Sequence, residues 1–349
     1  MKLLIVTQKV DKNDSALGFF HRWIEEFSKH CEKLTVICLQ KGEYNLPDNV
    51  KVLSLGKEIG NSRGQYLLNF FKYIKEEEEN YDHVFVHMNP IYVILGAIPW
   101  RSWNKDISLW YVHKSVDLKL RIAEFLADKI FTVSKDTFNL KSDKLKIVGH
   151  GIPLEDFKIS YKNAEHKDKK LKIISVGRIT PIKNLDILIE AGSILKEKGI
   201  NFEIKFVGVP MQESDSEYLD KLKTIVKNKC LDKEVIFYGS VLSSKVKEEY
   251  WKSDLSVNLS PTGGVDKVVL ESIASGLPVL VSNHAFKDYL GVYSDRLIFK
   301  ERDFHDLAQK IISLEKSEDL PDIIKELQDE VGKRASLISL IKKIVSELE

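Results

Sequence analysis

The stretch that decides the fold lies at residues 174–191 and reads ISVGRITPIKNLDILIEA. It opens with the end of a short apolar run, which is typical of a buried strand that stops at Gly177. Pro181 shapes the loop that follows, and the residues after the loop carry the apolar spacing of a helix. Strand, loop and helix in this order are one step of a parallel α/β sheet.

The same alternation runs through the whole chain and predicts two such sheets. Strands are expected near 2–8, 34–39, 51–55, 83–88, 107–112, 129–134 and 145–149, and again near 171–176, 202–207, 234–238, 255–259 and 278–282. Helical patterns lie between them, for example at 18–30, 66–79, 184–198, 215–229, 245–251 and 267–275. The polar segment 158–170 has the composition of a linker. We therefore predict an α/β protein with two doubly wound parallel-sheet domains, at 1–157 and 171–332.

The last residues, 333–349, form a separate helical pattern. Apolar side chains from Leu337 to Leu348 fall mostly at three- and four-residue spacing, so this stripe must be buried. The pattern alone leaves open whether the stripe is buried on its own domain, on the first domain or on a partner.

Composition excludes several classes of protein. The 349 residues include 53 Lys and Arg against 52 Asp and Glu, a net charge of +1, so nothing electrostatic favours a nucleic-acid partner. No apolar run approaches the roughly 18 residues of a membrane span. Three cysteines without metal-ligand spacing suit a reducing compartment, so a cytoplasmic protein is expected.

Two cations come directly after the strand at 171–176. Arg178 follows Gly177, and Lys183 stands beside the start of the next helix. Ligands of open parallel sheets bind at the carboxyl ends of the strands, where both side chains are expected. The fork of Arg and the point charge of Lys together suit a diphosphate. The alternative is a solvated loop with two surface cations.

A second segment, at residues 255–280, reads LSVNLSPTGGVDKVVLESIASGLPVL. It predicts a strand, a tight turn at Gly263 and Gly264, and a helix whose first N–H groups attract an anion. Glu271 lies about one turn into that helix, where its carboxylate is able to accept hydrogen bonds from a ribose diol. The alternative is an ordinary strand–helix turn with a solvated glutamate.

These two segments resemble the retaining glycosyltransferases of family 4, the glycosyl transferases group 1. The first is similar to the family block that begins V-G-R and runs through a lysine to L-I-x-A. The second is similar to the donor block that ends in E-A-x-A-x-G-x-P-V, and the two lie about 80 residues apart in the family order. The resemblance implies the GT-B fold, two facing Rossmann-like domains with a cleft between them. It makes 1–157 the acceptor-binding domain and 171–332 the donor-binding domain. It also implies that the C-terminal helix at 333–349 packs back on the first domain.

The resemblance also implies roles for individual residues. Arg178 and Lys183 would hold the donor diphosphate, Glu271 the ribose, and His113 would line the reaction centre, with His87 as a weaker candidate of the same kind. The remaining donor-binding residues would be Gly18, Gly177, Gly239, Val241, Gly263, Gly264, Val265, Asp266, Lys267 and Val268. For Gly18 and His113 a purely structural role is kept as the alternative.

One position departs from the family pattern. The first glutamate of the family's pair is expected at 263, where this chain has glycine, and Asp266 stands where the family turn has its second glycine. We predict that Asp266 contacts the donor sugar in place of the missing carboxylate. The alternative is that Asp266 caps the helix.

The function predicted from these residues is transfer of a sugar from a UDP-, GDP- or ADP-sugar, with retention, to a hydroxyl of a glycan, lipid-linked or small-molecule acceptor. The nucleotide sugar is a co-substrate, and neither a metal nor a cofactor is expected. A nucleotide-sugar epimerase and a non-enzymatic relative that only binds the nucleotide sugar remain open. Trp100, Arg101 and Trp103 leave open a peripheral contact with the inner face of a membrane. A dehydrogenase is disfavoured because no Gly-x-Gly-x-x-Gly follows a strand.

Overall fold

The structure is a computed structural model that describes residues 1–14, 17–158 and 170–349. Residues 159–169, nearly all of the predicted linker, lie outside the described part. The chain forms two compact units. The first comprises Met1–Gly151, Leu242–Ser244 and Leu337–Glu349, and the second comprises Ile152–Val241 and Lys245–Ser336.

Within the described residues, the first unit contains a sheet of seven parallel strands in the order β3-β2-β1-β4-β5-β6-β7. The strands are β1 (Lys2–Val10), β2 (Lys33–Lys41), β3 (Val50–Ser54), β4 (His83–His87), β5 (Asp106–Trp110), β6 (Lys129–Thr132) and β7 (Leu145–Ile147). The helices between them are α1 (Phe19–Ser28), α2 (Arg63–Glu76), α3 (Pro90–Ser102) and α4 (Leu118–Leu126). In β1 the five residues from Leu3 to Thr7 are buried in succession, as expected of a strand covered on both faces.

The second unit is built in the same way, on a sheet with the order β10-β9-β8-β11-β12 in the described residues. Its strands are β8 (Leu171–Val176), β9 (Phe202–Val207), β10 (Val235–Gly239), β11 (Leu255–Asn258) and β12 (Val279–Val281). Its helices are α5 (Leu154–Phe157), α6 (Leu185–Glu197), α7 (Glu213–Asn228), α8 (Val246–Trp251), α9 (Lys267–Ala274), α10 (Lys287–Leu290), α11 (Ser294–Leu297), α12 (Phe304–Glu315) and α13 (Leu320–Arg334). The order places β8 beside β11, so the loops that follow these strands are neighbours at one edge of the sheet.

The last helix, α14 (Leu337–Leu348), belongs to the first unit. It packs against α1, and its buried side chains Leu340, Ile341 and Ile344 share a core with Leu3 and Trp23. The chain therefore leaves the first unit at Gly151 and returns to it for its last helix.

The borders of the units differ from the predicted ones. Ile152 and Phe157 belong to the core of the second unit, so the first unit ends six residues before the predicted 157. At the other end α13 runs to Arg334, and the Ile152 N–H donates to the Ala335 carbonyl (2.8 Å). Residues 333–336 therefore belong to the second unit and not to the last helix.

The prediction of two parallel-sheet α/β units is confirmed, and each predicted strand is present. The helices α3 and α4 were not predicted. In α3 apolar residues surround the helix instead of forming a stripe, and Pro99 lies inside it, so the run has no helical periodicity to detect. None of the helices in residues 1–14, 17–158 and 170–349 has the length and apolar character needed to cross a membrane.

Candidate donor-binding site

Three glycines line the carboxyl edge of the second sheet. Gly177 follows β8, Gly208 follows β9 and Gly239 ends β10, each with a positive φ. The Gly208 N–H donates to the Gly239 carbonyl (2.8 Å), and a Cβ on Gly208 would lie 1.9 Å from the Gly177 carbonyl oxygen. Only glycine permits this close approach of the backbones, which fixes the start of the loop after β8.

The loop after β8 carries the two predicted cations. Arg178 is exposed, while Lys183 ends a short 3₁₀ turn from Pro181 and is mostly buried. Asn184 adopts the left-handed conformation and donates its Nδ2 hydrogen to the Leu259 carbonyl (3.2 Å). The loop after β8 is thereby tied to the loop after β11, which brings the two motif segments together.

Lys183 and Asp266 form the central contact of this edge. The Lys183 Nζ lies 2.6 Å from the Asp266 Oδ2 and donates to the Ser260 Oγ (2.8 Å). The Ser260 hydroxyl and the Asn258 amide also donate to the same Asp266 oxygen, at 2.6 and 3.0 Å. Three donors from two loops therefore converge on one carboxylate oxygen.

The surroundings of Asp266 favour its charged form. Burial alone would raise the pKa of this carboxyl, but the charge and hydrogen bond of Lys183, with those of Ser260 and Asn258, hold the pKa below its ordinary value. Asp266 occupies the position before α9, yet its side chain makes no capping hydrogen bond to that helix. The alternative of a helix cap is wrong for this side chain because the carboxylate is turned to Lys183.

The turn at Gly263 and Gly264 is held by a residue that the sequence pattern did not reveal. Asn283 is fully buried, its Oδ1 accepts from the Gly263 N–H (3.2 Å), and its Nδ2 donates to the Gly264 carbonyl (2.9 Å). Val265 packs against the core of the unit. This turn therefore enters α9 in a fixed position.

Glu271 is buried in α9, which contradicts the alternative of a solvated glutamate. Its Oε1 lies 3.5 Å from the Nζ of Lys267, one helical turn earlier. Burial raises the pKa of the Glu271 carboxyl, although the Lys267 charge acts in the opposite direction. The carbonyl of Val268, the residue after Lys267, accepts a hydrogen bond from the Tyr250 hydroxyl (3.1 Å).

Two other predicted residues of the second unit, Gly177 and Val241, are held by contacts within that unit. The Gly177 N–H donates to the Val207 carbonyl (2.9 Å), and Val241 packs against the core of the unit. A small pocket beside the loop after β8 is lined by Gly177, Arg178, Lys183, Phe206 and Asn258, among others. The side-chain hydrogen bond of Thr180 lowers the pKa of Asp215, and smaller contributions in the same direction come from the backbone N–H groups of Met211 and Gln212 and, last, from the charge of Arg178.

Two predicted residues, Gly18 and His113, and the weaker candidate His87 lie in the first unit. Gly18 precedes α1, and a Cβ there would lie 2.4 Å from the Asp14 carbonyl oxygen, so packing alone accounts for this glycine. His113 is exposed, and its Nδ1 accepts a hydrogen bond from the Ser115 N–H (3.0 Å). His87, by contrast, is buried, is stacked on Phe20 and contacts the Thr7 hydroxyl (3.1 Å). Burial lowers the pKa of His87 to about 3, so it is a neutral core residue.

Sequence reasoning identified Lys183 and Asp266 but not their pairing, and it missed Asn258, Ser260 and Asn283. Polar residues at the carboxyl ends of β11 and β12 were the available signal. In the part of the chain that the structure describes, no group of three or more His, Cys, Asp or Glu side chains is arranged to hold a metal ion.

Comparison with known proteins identifies the family. The sequence profile of the glycosyl transferases group 1 matches residues 156–335, just over half of the chain, and this range contains both motif loops. The chain belongs to the glycosyl transferases group 1 family. That assignment confirms the resemblance of the two motif segments to the glycosyl transferases group 1.

Two relatives of this chain are named as biosynthetic glycosyltransferases. It is 30% identical over 150 residues to the amylovoran biosynthesis glycosyltransferase AmsK of Erwinia amylovora, covering 41% of this chain and 35% of AmsK. It is 25% identical over 224 residues to the putative colanic acid biosynthesis glycosyltransferase WcaL of Escherichia coli, covering 62% of this chain and 52% of WcaL. The chain thus spans about a third to a half of the length of these relatives.

Solved structures share the whole fold of this family member. HepE from Anabaena, crystallised in complex with UDP, superimposes with a TM-score of 0.78 at 16% identity over 100% of this chain and 99% of HepE. Sucrose-phosphate synthase from Thermosynechococcus elongatus gives a TM-score of 0.74 at 14% identity over 99% and 98% of the two chains. These similarities confirm the GT-B fold.

Proposed function

We propose that this protein is a glycosyltransferase that takes a sugar from a nucleoside-diphosphate sugar. The observation that carries the proposal is the convergence of the two family motifs, in which the loops after β8 and β11 meet through Lys183 and Asp266 at 2.6 Å. This edge combines Arg178, Lys183 and the N-terminus of α9, three sources of positive charge suited to a diphosphate. HepE, a GT-B neighbour, was crystallised with UDP, which agrees with such a donor.

In the proposed reaction, the bond between the anomeric carbon and the diphosphate breaks and the diphosphate leaves with the electron pair. Arg178 and Lys183 stabilise the charge that develops on the leaving oxygen. The oxygen of the acceptor hydroxyl forms the new bond to the anomeric carbon, and its proton leaves with the departing diphosphate or with solvent. No covalent intermediate on the protein is required.

We also propose that the transfer retains the anomeric configuration, with the acceptor attacking the face from which the diphosphate leaves. The resemblance of residues 174–191 and 255–280 to the retaining family 4 supports this finer assignment. Proton NMR of the product formed from an α-linked donor tests it, since retention gives an α-linked product. An early β-anomer signal would contradict retention.

Metal independence is a further part of the proposal. Two cations beside the diphosphate supply the charge that a divalent ion supplies in other transferases. Transfer rates are measured in excess EDTA and after addition of Mg²⁺ or Mn²⁺, and equal rates are expected. Loss of activity in EDTA with recovery by either ion would contradict it. The nucleotide sugar is then the co-substrate, and no other cofactor is proposed.

The donor is tested by a screen. Binding of UDP, GDP and ADP is measured by calorimetry, and hydrolysis or transfer is then followed with the glucose, galactose, N-acetylglucosamine and mannose derivatives of the nucleotide that binds. Turnover with an added glycan or lipid-linked acceptor supports the transferase. Turnover that needs no acceptor and interconverts two nucleotide sugars supports the epimerase instead.

One observation favours a second candidate, a relative that binds the nucleotide sugar without turning it over. Gly263 supplies no carboxylate where the family pattern has its first glutamate. Binding of a nucleotide sugar without hydrolysis or transfer to any acceptor, together with rescue of turnover by Gly263→Glu, would support this candidate.

We further propose that the first unit touches a membrane surface at the cytoplasmic face. The exposed side of α4 carries Leu118, Ile122 and Phe125 beside Arg121, and Ile98 on the neighbouring α3 is 83% exposed. Apolar side chains mixed with basic ones on one helix face are typical of interfacial binding. Trp100 does not contribute, because it is fully buried and donates to the Tyr81 hydroxyl (3.2 Å).

Sedimentation with phospholipid vesicles tests this surface. Phe125 is 74% exposed on α4, and Ile59, 75% exposed, lies beyond β3 at the other edge of the same sheet. Phe125→Ser is expected to reduce binding to vesicles containing anionic lipid, whereas Ile59→Ser serves as the matched control. Equal binding by wild type and both variants would contradict the surface.

A further inference from the structure

We propose that Asp266 is an internal counter-ion of Lys183, which the phosphates of the donor must displace before the ammonium can hold them. This inference rests on the proposed function, because it concerns the same diphosphate site. It assigns to Asp266 a role in setting nucleotide affinity instead of a contact with the sugar.

The contacts of Asp266 support this role. Its Oδ2 receives hydrogen bonds from Lys183, Ser260 and Asn258 at 2.6–3.0 Å, and Ser260 also accepts from the Lys183 Nζ. Its side chain gives no hydrogen bond to the start of α9, so the carboxylate is directed to the lysine and away from the helix. The pair is partly open to solvent, with 19% of the Lys183 side chain and 29% of the Asp266 side chain exposed. A ligand can therefore reach it.

Both partners stand on loops that are anchored separately. Asn184 ties the loop of Lys183 to the Leu259 carbonyl, and Asn283 holds the turn at Gly263 and Gly264 just before Asp266. Neither loop depends on the ion pair alone for its position. Loss of the Asp266 carboxylate is thus expected to release the Lys183 ammonium for binding while leaving the lysine close to its present position.

Charge gives the direction of the effect. Arg178 and Lys183 bring two positive charges to this edge, and Asp266 returns one negative charge, so a diphosphate meets a net charge of about +1 instead of +2. The ligand's own negative charge is also repelled by the carboxylate. Asp266 therefore weakens binding of nucleoside diphosphate and hastens its release after transfer.

This role differs measurably from a sugar contact. A sugar contact would make Asp266→Asn weaken binding of the nucleotide sugar and leave free nucleoside diphosphate unaffected. A counter-ion makes the same variant tighten binding of both ligands, and the enzyme then shows stronger inhibition by its nucleoside-diphosphate product.

The experiment is calorimetry of UDP, GDP and ADP with wild type, Asp266→Asn, Lys183→Ala and the double variant. For the nucleotide that binds, Asp266→Asn is expected to lower Kd about two- to fivefold, the range of a partly exposed ion pair. On the Lys183→Ala background the same change should give a smaller gain, because the competing ammonium is gone. Glu190→Gln, which breaks the pair of Glu190 with Lys229 in the same unit (2.7 Å), is the matched control and should leave Kd unchanged.

An unchanged or raised Kd in Asp266→Asn, with a melting temperature near that of wild type, overturns the proposal. If Asp266→Asn does not fold, Asp266→Gly removes the same carboxylate and carries the same expectation. The ion pair is also tested without nucleotide, by following the acylation of Lys183 with peptide mass spectrometry. Acylation should be faster in Asp266→Asn than in wild type. An equal rate overturns the counter-ion role of Asp266. Failure of all three nucleotides to bind wild type, despite faster acylation, refutes the proposed donor while the pairing stands.

Discussion

Lys183 and Asp266 stand 83 residues apart in the chain and 2.6 Å apart in the structure. At the scale of single residues, the two predicted cations thus differ, because Lys183 has a carboxylate partner inside the site and Arg178 is exposed. This difference leads to unequal effects when either cation is removed.

We expect both Arg178→Ala and Lys183→Ala to weaken nucleoside-diphosphate binding by about 1.5–3 kcal/mol, the scale of a charged hydrogen bond. Lys183→Ala should lie at the lower end, because the attraction of Lys183 for the phosphates is already offset by the cost of displacing the Asp266 carboxylate. Titration calorimetry checks the order, with Lys229→Ala as a control cation of the same unit. Wild-type affinity in both variants would contradict the donor site.

A second residue-scale prediction concerns Glu271, whose pKa is raised by burial. A carboxyl with a higher pKa in the folded than in the unfolded protein costs the folded state free energy as pH rises above the ordinary value of 4.5 and through the raised one. Glu271→Gln should therefore raise the melting temperature at neutral pH and flatten its dependence on pH above 4.5.

The same variant separates stability from binding. If Glu271 holds the ribose, Glu271→Gln weakens nucleotide binding even as it stabilises the fold, because the amide loses the charge-assisted hydrogen bonds. Calorimetric melting from pH 4.5 to 8 and titration with nucleotide are the two measurements. A lower melting temperature with wild-type affinity would assign Glu271 to structure alone.

At the scale of elements, the order of the strands decides which loops meet. β8 lies between β9 and β11, and the backbones at the ends of β8, β9 and β10 approach closely at Gly177, Gly208 and Gly239. The position of Arg178 and Lys183 thus depends on backbone packing two strands away. Substitution of a glycine at this edge is therefore expected to change ligand binding indirectly, by shifting the loop after β8 and not by removing a contact with the ligand.

We expect Gly208→Ala to destabilise the protein by more than about 2 kcal/mol, because its methyl group would meet the Gly177 carbonyl oxygen at 1.9 Å. Gly199→Ala is the matched control, since Gly199 also has a positive φ but no atom near its Cβ position, and should cost about 1 kcal/mol. Chemical denaturation measures both. Equal costs would mean that the backbone conformation alone, and not the contact, requires glycine at 208.

The sequence was sufficient for the strands and for the two motif loops, because short β-branched runs and punctuating glycines are local signals. It was insufficient for α3, which is apolar on every side, and for the partner of Lys183. That pairing follows from β8 lying beside β11, where Ile173 pairs with Leu255, 82 residues later in the chain. The roles of Asn258, Ser260 and Asn283 depend on the same long-range arrangement. The sequence therefore predicted the cations and glycines of the candidate site but not the hydrogen bonds within it.

At the scale of the whole molecule, the chain does not divide into two consecutive pieces. The core of the first unit is completed by α14, which follows more than 180 residues of the second unit in the sequence. The apolar stripe at Leu337–Leu348 is therefore an integral part of the first unit, although its own neighbours in sequence belong to the second. The first unit therefore depends on α14 to complete its core.

The last prediction tests this dependence with two isoleucines of one helix segment. Ile344 is fully buried among residues of β1 and α1, whereas Ile338 is 43% exposed. Ile344→Ala should cost about 2–5 kcal/mol, the range for a core isoleucine truncated to alanine, and Ile338→Ala should cost less than about 1 kcal/mol. Hydrogen exchange followed by mass spectrometry locates the effect: in Ile344→Ala, peptides from β1 and α1 should exchange faster, while those from β8 and β9 keep their protection. Equal loosening of both units, or none in either, would contradict the assignment of α14 to the core of the first unit.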